Sequence, residues 1–216
     1  MKDQRPKIKS REWAVFPARL LVYLILISAY LTLEVRLVLG CGFQKVLIEN
    51  TVVEWISVGL CLLTVLAFVL VSVADQGRRS ISLVLALLAA AACVREMDFF
   101  LANQLSEGGY HIVLAIALLI ALIFATLRRR SVWQEGKDLL VRPAFVLLLL
   151  GTVVVVSWAQ ILGQRELWGY FARVYPIDAN GVKCMVEESL ELIGYFLIFF
   201  GAVEELIIKP TTEESE

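Results

Sequence analysis

The sequence has 216 residues, enough for one domain. Hydrophobic residues make up 59% and charged residues 19%, against roughly 45–50% and about 25% in soluble domains. An ordinary globule, a disordered chain, a disulfide scaffold and a coiled coil are therefore excluded, and most of the apolar surface needs lipid as its solvent. Lys and Arg number 20 against 21 Asp and Glu, a net charge of −1, which offers nothing to nucleic acid.

A helix needs about 20 mostly apolar residues to cross some 30 Å of hydrocarbon. Six runs meet that length: Phe16 to Leu39, Val52 to Ala74, Ser80 to Leu101, Tyr110 to Leu127, Pro143 to Gly163 and Met185 to Ile208. They do not alternate in polarity as barrel strands do, and helices satisfy their own backbone groups in lipid. The expectation is an all-α polytopic membrane protein, a single domain over residues 1–216 built as a bundle of six transmembrane helices. The first run continues through Glu34 and Arg36 without a small-x-small cleavage site, so it reads as a retained helix rather than a signal peptide.

Lys and Arg set the orientation. With the N-terminus inside, 14 of them fall on the inner side and 6 on the outer, which favours both termini in the cytoplasm. Residues 164–183 carry Trp168, Tyr170, Phe171 and Tyr175 among polar residues. They read as an outer interfacial helix ended by Pro176 and a turn at Asn180-Gly181. Residues 128–142 read as a basic inner turn touching anionic lipid. Cys61 and Cys93 fall inside helices as packing residues. Cys41 and Cys184 both fall at outer helix ends, where an oxidising compartment would allow a disulfide or leave two free thiols.

Ionisable groups in hydrocarbon cost about 2.5–3.5 kcal/mol on the milder scale and persist where they pair, line a cavity or work. Most of them lie on the outer side: Glu34 and Arg36, Glu49 and Glu54, Arg95, Glu96 and Asp98, His111, and Glu187, Glu188 and Glu191. The inner side holds chiefly Glu204 and Glu205. Helical spacing places Glu54, Ser57, Cys61 and Thr64 on one stripe, Glu187, Glu191 and Tyr195 on another, and Ser157, Gln160 and Gln164 on a third. Facing inward, they would enclose a polar, net acidic pocket open to the outside. Its candidate lining is Glu54, Ser57, Arg95, Glu96, Asp98, His111, Glu191 and Tyr195, with Glu54 and Glu191 as candidate ligands of a hard cation. Carboxylates at helix N-termini, such as Glu49, Glu187 and Glu188, also answer to the helix dipole alone.

One histidine excludes a His-rich zinc site, and H-E-x-x-H, G-x-S-x-G and Walker A patterns are absent. The stretch Glu49-Asn50-x3-Glu54-Trp55, followed by Arg95-Glu96-x-Asp98, resembles small multi-helix bacterial inner-membrane proteins without an assigned activity. That resemblance implies a bacterial cytoplasmic membrane. A Glu–Ser helix followed by an acidic helix is also faintly similar to alkaline ceramidases, whose zinc chemistry needs histidines this chain lacks.

Three functions remain open. The first binds or transports a cation, proton or small polar solute in the acidic pocket. The second is a structural or accessory subunit whose buried charges set helix register. The third, an intramembrane hydrolase, has the least support. The partners expected are the bilayer and such a solute, with no nucleic acid; an oligomer is compatible with all three readings, and the sequence names no cofactor.

Overall fold

The computed structural model describes residues 5–41, 52–97, 101, 109–175 and 178–208. Among them there is helix and turn but no strand. The helices are α1 (Arg5–Cys41), α2 (Val52–Ala74), α3 (Arg79–Glu96), α4 (Gly109–Leu127), α5 (Arg129–Leu140), α6 (Pro143–Leu162), α7 (Arg165–Val174) and α8 (Ala179–Ile207).

Four helical stretches are long and apolar enough to cross a membrane: Glu12–Gly40 in α1, α2, Gln76–Glu96 including α3, and α6. A fifth is added if α4 and α5, bent by 95° at Arg128, count as one broken span. The expectation of six apolar spans is corrected on this point. The helix that fails is α8, which is 29 residues long, roughly 43 Å at 1.5 Å per residue. Its charges exclude it: Glu187, Glu188 and Glu191 lie in its first half, and Glu204 and Glu205 near its C-terminal end.

Three further boundaries differ from the sequence reading. The basic inner turn at 128–142 is mostly a helix, α5. Within the interfacial segment α7 covers Arg165–Val174 and α8 already begins at Ala179, so Asn180-Gly181 is its first turn rather than a break. The Asp178 carboxylate accepts from the Asn180 N–H at 3.2 Å and supplies the cap that starts the helix there. Pro176 lies outside the described residues. The third run ends as α3 at Glu96, capped by Met97.

Side-chain partners give each helix its direction. Along α1 and α8, Arg19 meets Glu204, Tyr23 stacks on Phe200, and Ser189 donates to Glu34. The pairing steps up one chain as it steps down the other, so the two helices are antiparallel over fifteen residues. Arg78 meets Glu205 and Arg95 meets Glu191, which sets α3 antiparallel to α8 as well. Arg142 meets Glu205 and Gln160 meets Glu191, which does the same for α6. The starts of α1, α3 and α6 and the end of α8 thus share one end of the bundle, called here the basic end. Glu34, Arg95, Gln160 and the start of α8 share the other, the acidic end.

Between the ends, α8 packs against α6 and α2. Lipid is as apolar as a leucine side chain, so helices here need close backbone approach or polar contacts to associate. Gly151 and Gly194 supply the approach. A Cβ on Gly151 would lie 2.6 Å from the Gly194 carbonyl oxygen, and one on Gly194 would run into Val155. Immediately after this contact α6 opens into a single π-helical turn, Val154–Trp158. Leu192 and Tyr195 of α8 are buried with Val53, Cys61 and Cys93.

Tight turns close the remaining connections. Between α2 and α3 the Asp75 carboxylate accepts from the Gly77 N–H at 2.8 Å and from Arg78 Nε at 2.7 Å. Between α5 and α6, Arg142 is extended and Pro143 occupies the first turn of the helix, as the proline ring requires. α4 packs on α3 at the margin of the bundle.

Candidate functional site

The acidic end is organised around Arg95 in the last turn of α3. Its guanidinium contacts Glu96 Oε1 at 2.8 Å through one Nη and 3.1 Å through Nε. The same Nη lies 2.7 Å from Glu191 Oε1 and 3.2 Å from the Tyr195 hydroxyl. Tyr195 in turn donates to Glu96 Oε1 at 2.7 Å, and Gln160 donates to Glu191 Oε1 at 3.1 Å. Glu96, Glu191 and Tyr195 are buried, while the Arg95 side chain keeps 32% of its surface exposed.

The sequence explains this convergence. Glu191 and Tyr195 are four apart on α8 and share a face. Arg95 and Glu96, adjacent on α3, reach them because α3 and α8 run antiparallel. The guanidinium carries a fixed charge and several donors, so a single arginine satisfies carboxylates from both helices.

Acids exceed cations here. Glu54, Glu96, Glu187, Glu188 and Glu191 lie within electrostatic reach of one another around Glu188. Among the described residues two cations answer them: Arg95, and Lys183, which is 2.7 Å from Glu187 one turn up α8. Glu188 enters no ion pair or hydrogen bond among the described residues.

The polar stripe on α2 descends from this cluster. Glu54 is half-buried at the helix start, and Ser57, Cys61 and Thr64 are buried beneath it. The Thr64 hydroxyl returns to the Leu60 carbonyl. The Ser57 hydroxyl has no partner among the described residues. Glu34 of α1 is buried beside α8, with Oε1 accepting from Ser189 at 2.7 Å and Oε2 unpartnered.

The stripe expected on α6 is not continuous. The π-turn inserts a residue into the helical count. Gln160 reaches Glu191, whereas Gln164 is exposed in the break before α7. His111 is exposed at the start of α4, a helix packed on α3. Asp98 and Glu49 lie outside the described residues. Cys184 forms no disulfide with another described side chain. The Cys41 side chain lies outside the described residues, so its pairing with Cys184 is not described.

Two cavities among the described residues, of about 330 and about 160 Å³, lie at the basic end. At the acidic end the polar groups are knit together. Among the described residues no three His, Cys, Asp or Glu side chains group as metal ligands.

Sequence reasoning missed a second network. At the basic end Glu204, 1% exposed, accepts from Arg19 at 2.7 and 2.6 Å and from the Tyr23 hydroxyl at 2.7 Å. Beside it Glu205 takes Arg142 at 2.8 Å and Arg78 at 3.3 Å. Arg78 also donates to the Glu205 and Ile208 carbonyls at 2.7 and 3.0 Å, which closes the C-terminus of α8. The available signal was one of position: arginines at the starts of three apolar runs, and two glutamates near the end of a fourth.

No family model matches the sequence, and comparison with curated proteins and with solved structures returns no significant similarity. Fold and chemistry alone therefore define the class: an all-α chain with four or five helices long and apolar enough to cross a membrane among the described residues, and two charged networks along α8.

Proposed function

We propose that this chain is an integral membrane protein whose acidic end binds a proton, a cation or a small solute bearing positive charge. The observation that carries the reading is Glu188, which enters no ion pair or hydrogen bond among the described residues and stands among Glu96, Glu187 and Glu191, whose partners there are Arg95 and Lys183. Uncompensated carboxylates at a hydrocarbon boundary are costly, and a bound positive charge relieves them. In this reading α8 is a sixth crossing helix. Its support is the antiparallel pairing with α1 along its length, and the burial of Glu191, Glu204 and Glu205 against protein rather than lipid. Both termini then lie at the basic end, which the positive-inside rule assigns to the cytoplasm. The resemblance of the Glu-Asn-x3-Glu-Trp and Arg-Glu-x-Asp stretches extends the proposal to a bacterial inner membrane.

One observation favours the alternative, a structural or accessory subunit. The Arg95 guanidinium is held by Glu96, Glu191 and Tyr195 together, the condition of a charge that fixes helix register. Purified protein melted against sodium, potassium, magnesium, calcium and spermidine separates the two. Binding predicts that at least one cation raises the melting temperature of the native chain and that Glu188→Gln abolishes the response. A native chain indifferent to every cation, with Glu188→Gln raising the melting temperature by removing like-charge repulsion, rejects binding and supports the structural role.

A further inference from the structure

The arginines of the basic end fall into two groups. Arg19, Arg78 and Arg142 are each paired with a carboxylate of α8. Arg79, Arg128, Arg129 and Arg130 have no ion pair or hydrogen bond from their side chains among the described residues. The nearby acids are engaged elsewhere. Glu135 Oε2 accepts from the Ile81 N–H at 2.7 Å, and Asp75 is bound to Gly77 and Arg78.

Two of the unpaired arginines face one cleft. A cavity of about 160 Å³ between α3 and α4 is lined by Arg79, Ser80, Leu83, Phe124 and Arg128. Its chemistry changes with depth. Arg79 and Ser80 open α3, with Leu83 one turn deeper. Arg128 follows the end of α4, with Phe124 one turn deeper. Two antiparallel helices thus present cationic and hydroxyl groups at the rim and apolar side chains below. That gradient matches a molecule with an anionic head and a hydrocarbon body.

The level of the cleft is marked by α5, which leaves α4 at 95°. Trp133 of α5 is 68% exposed, with Lys137 Nζ 5.1 Å from its ring centroid. Exposed tryptophan beside basic residues is the signature of the headgroup zone.

We propose that this cleft is a binding site for the phosphate headgroup of an anionic phospholipid. Arg79 and Arg128 hold the phosphate oxygens, the Ser80 hydroxyl donates to one of them, and Leu83 and Phe124 contact the first carbons of an acyl chain. Arginine suits the role because its fork of donors matches phosphate oxygens in pairs.

The test uses purified full-length protein in neutral detergent, titrated with phosphatidylglycerol, phosphatidylcholine or inorganic phosphate, with binding followed by melting temperature. Phosphatidylglycerol should stabilise the native chain, and the other two should not. In Arg79→Gln/Arg128→Gln its apparent affinity should fall on the order of thirtyfold, from about a factor of five per basic residue near a charged surface. Arg129→Gln/Arg130→Gln removes the same charge from side chains that do not line the cleft, so its loss should be distinctly smaller. Equal losses in the two pairs would reduce the site to a diffuse basic patch. An equal response to phosphatidylcholine would remove the need for charge, and one to inorganic phosphate would make the ligand a free anion; each overturns the proposal. Should the first pair fail to fold, Leu83→Trp in the otherwise native chain gives an independent reading. Brominated phosphatidylglycerol should quench its added fluorescence more strongly than brominated phosphatidylcholine, and equal quenching counts against the site.

Discussion

Arg78→Met is the sharpest test of how α8 is held. The substitution keeps an unbranched apolar stem and removes the guanidinium. In the native chain that side chain is 6% exposed and makes four contacts. It reaches Asp75 Oδ2 at 2.7 Å, the Glu205 carbonyl at 2.7 Å, Glu205 Oε2 at 3.3 Å and the Ile208 carbonyl at 3.0 Å. Removing one partner of a buried ion pair costs about 3–5 kcal/mol. Arg142 remains 2.8 Å from Glu205 Oε2, so part of the compensation survives and the lower figure, about 3 kcal/mol, is expected. Arg142→Met alone should cost less, about 1.5–3 kcal/mol for one charged hydrogen bond, because its side chain is 19% exposed. The double variant should lose more than the two single losses together, since Glu205 is then buried without a cation. A coupling of about 0.5–3 kcal/mol is the range for residues sharing one network. Unfolding in mixed micelles with rising dodecyl sulfate measures all three variants. An Arg78→Met protein within about 0.5 kcal/mol of the native chain, or a strictly additive double variant, would refute the network.

Two further outcomes follow from the geometry. Gly194→Ala should destabilise by about 1–3 kcal/mol, because its Cβ would meet the Gly151 carbonyl oxygen at 2.9 Å and the Val155 amide nitrogen at 3.2 Å. Gly169→Ala on α7, where a Cβ meets open space, should be neutral or gain up to about 1 kcal/mol; the same micelle titration reads both. Alkaline phosphatase fused after Lys209 should be inactive and fused near Asn180 active, and the reverse pattern would invert the proposed orientation.

Much of the bundle is written in its apolar runs, because length and apolarity are what hydrocarbon selects. α2 and α6 carry one charge between them and appear where those runs lie, while α1 extends its run toward the N-terminus through a charged segment. α5 is harder to see. Its residues are mostly polar, and the stripe Val132, Gly136 and Leu139, at i, i+4 and i+7, is short; Leu139 is buried among Ala67, Phe68 and Ala144. The start of α8 was obscured by Asn180-Gly181, a pair that favours turns, although Asp178 two residues earlier has the chemistry of a cap. At the acidic end, Arg95 was legible as a charge in need of carboxylates, and Glu96 and Glu191 are the ones it reaches. The basic-end network was not legible. Its members come from α1, the turn before α3, the turn before α6, and α8, and only the packing order of the helices brings Arg19, Arg78 and Arg142 to adjacent glutamates.

The failure of α8 to look like a membrane span and its central place in the bundle have one cause. A helix facing lipid keeps its charges away from the hydrocarbon, as α2 and α4 do. A helix surrounded by protein carries charges wherever a neighbour supplies the partner. Between Glu191 and Glu204, α8 has twelve residues without a charge, roughly 18 Å of helix and less than the hydrocarbon thickness. Its buried glutamates therefore meet α1, α3 and α6 at levels where those helices are still apolar on their outer faces. Each end is then an energetic lock: a helix sliding by one turn would separate Glu204 from Arg19 and Glu191 from Arg95 at once. Glycine contact at Gly151 and Gly194 sets how closely α8 lies against α6, and the two charged networks set how far along it. The excess of carboxylates at the acidic end is not needed for that register, because Arg95 already reaches both Glu96 and Glu191. Glu188, with no ion pair or hydrogen bond among the described residues, is charge beyond what holding the helix requires, and it is what the proposed positively charged ligand would meet.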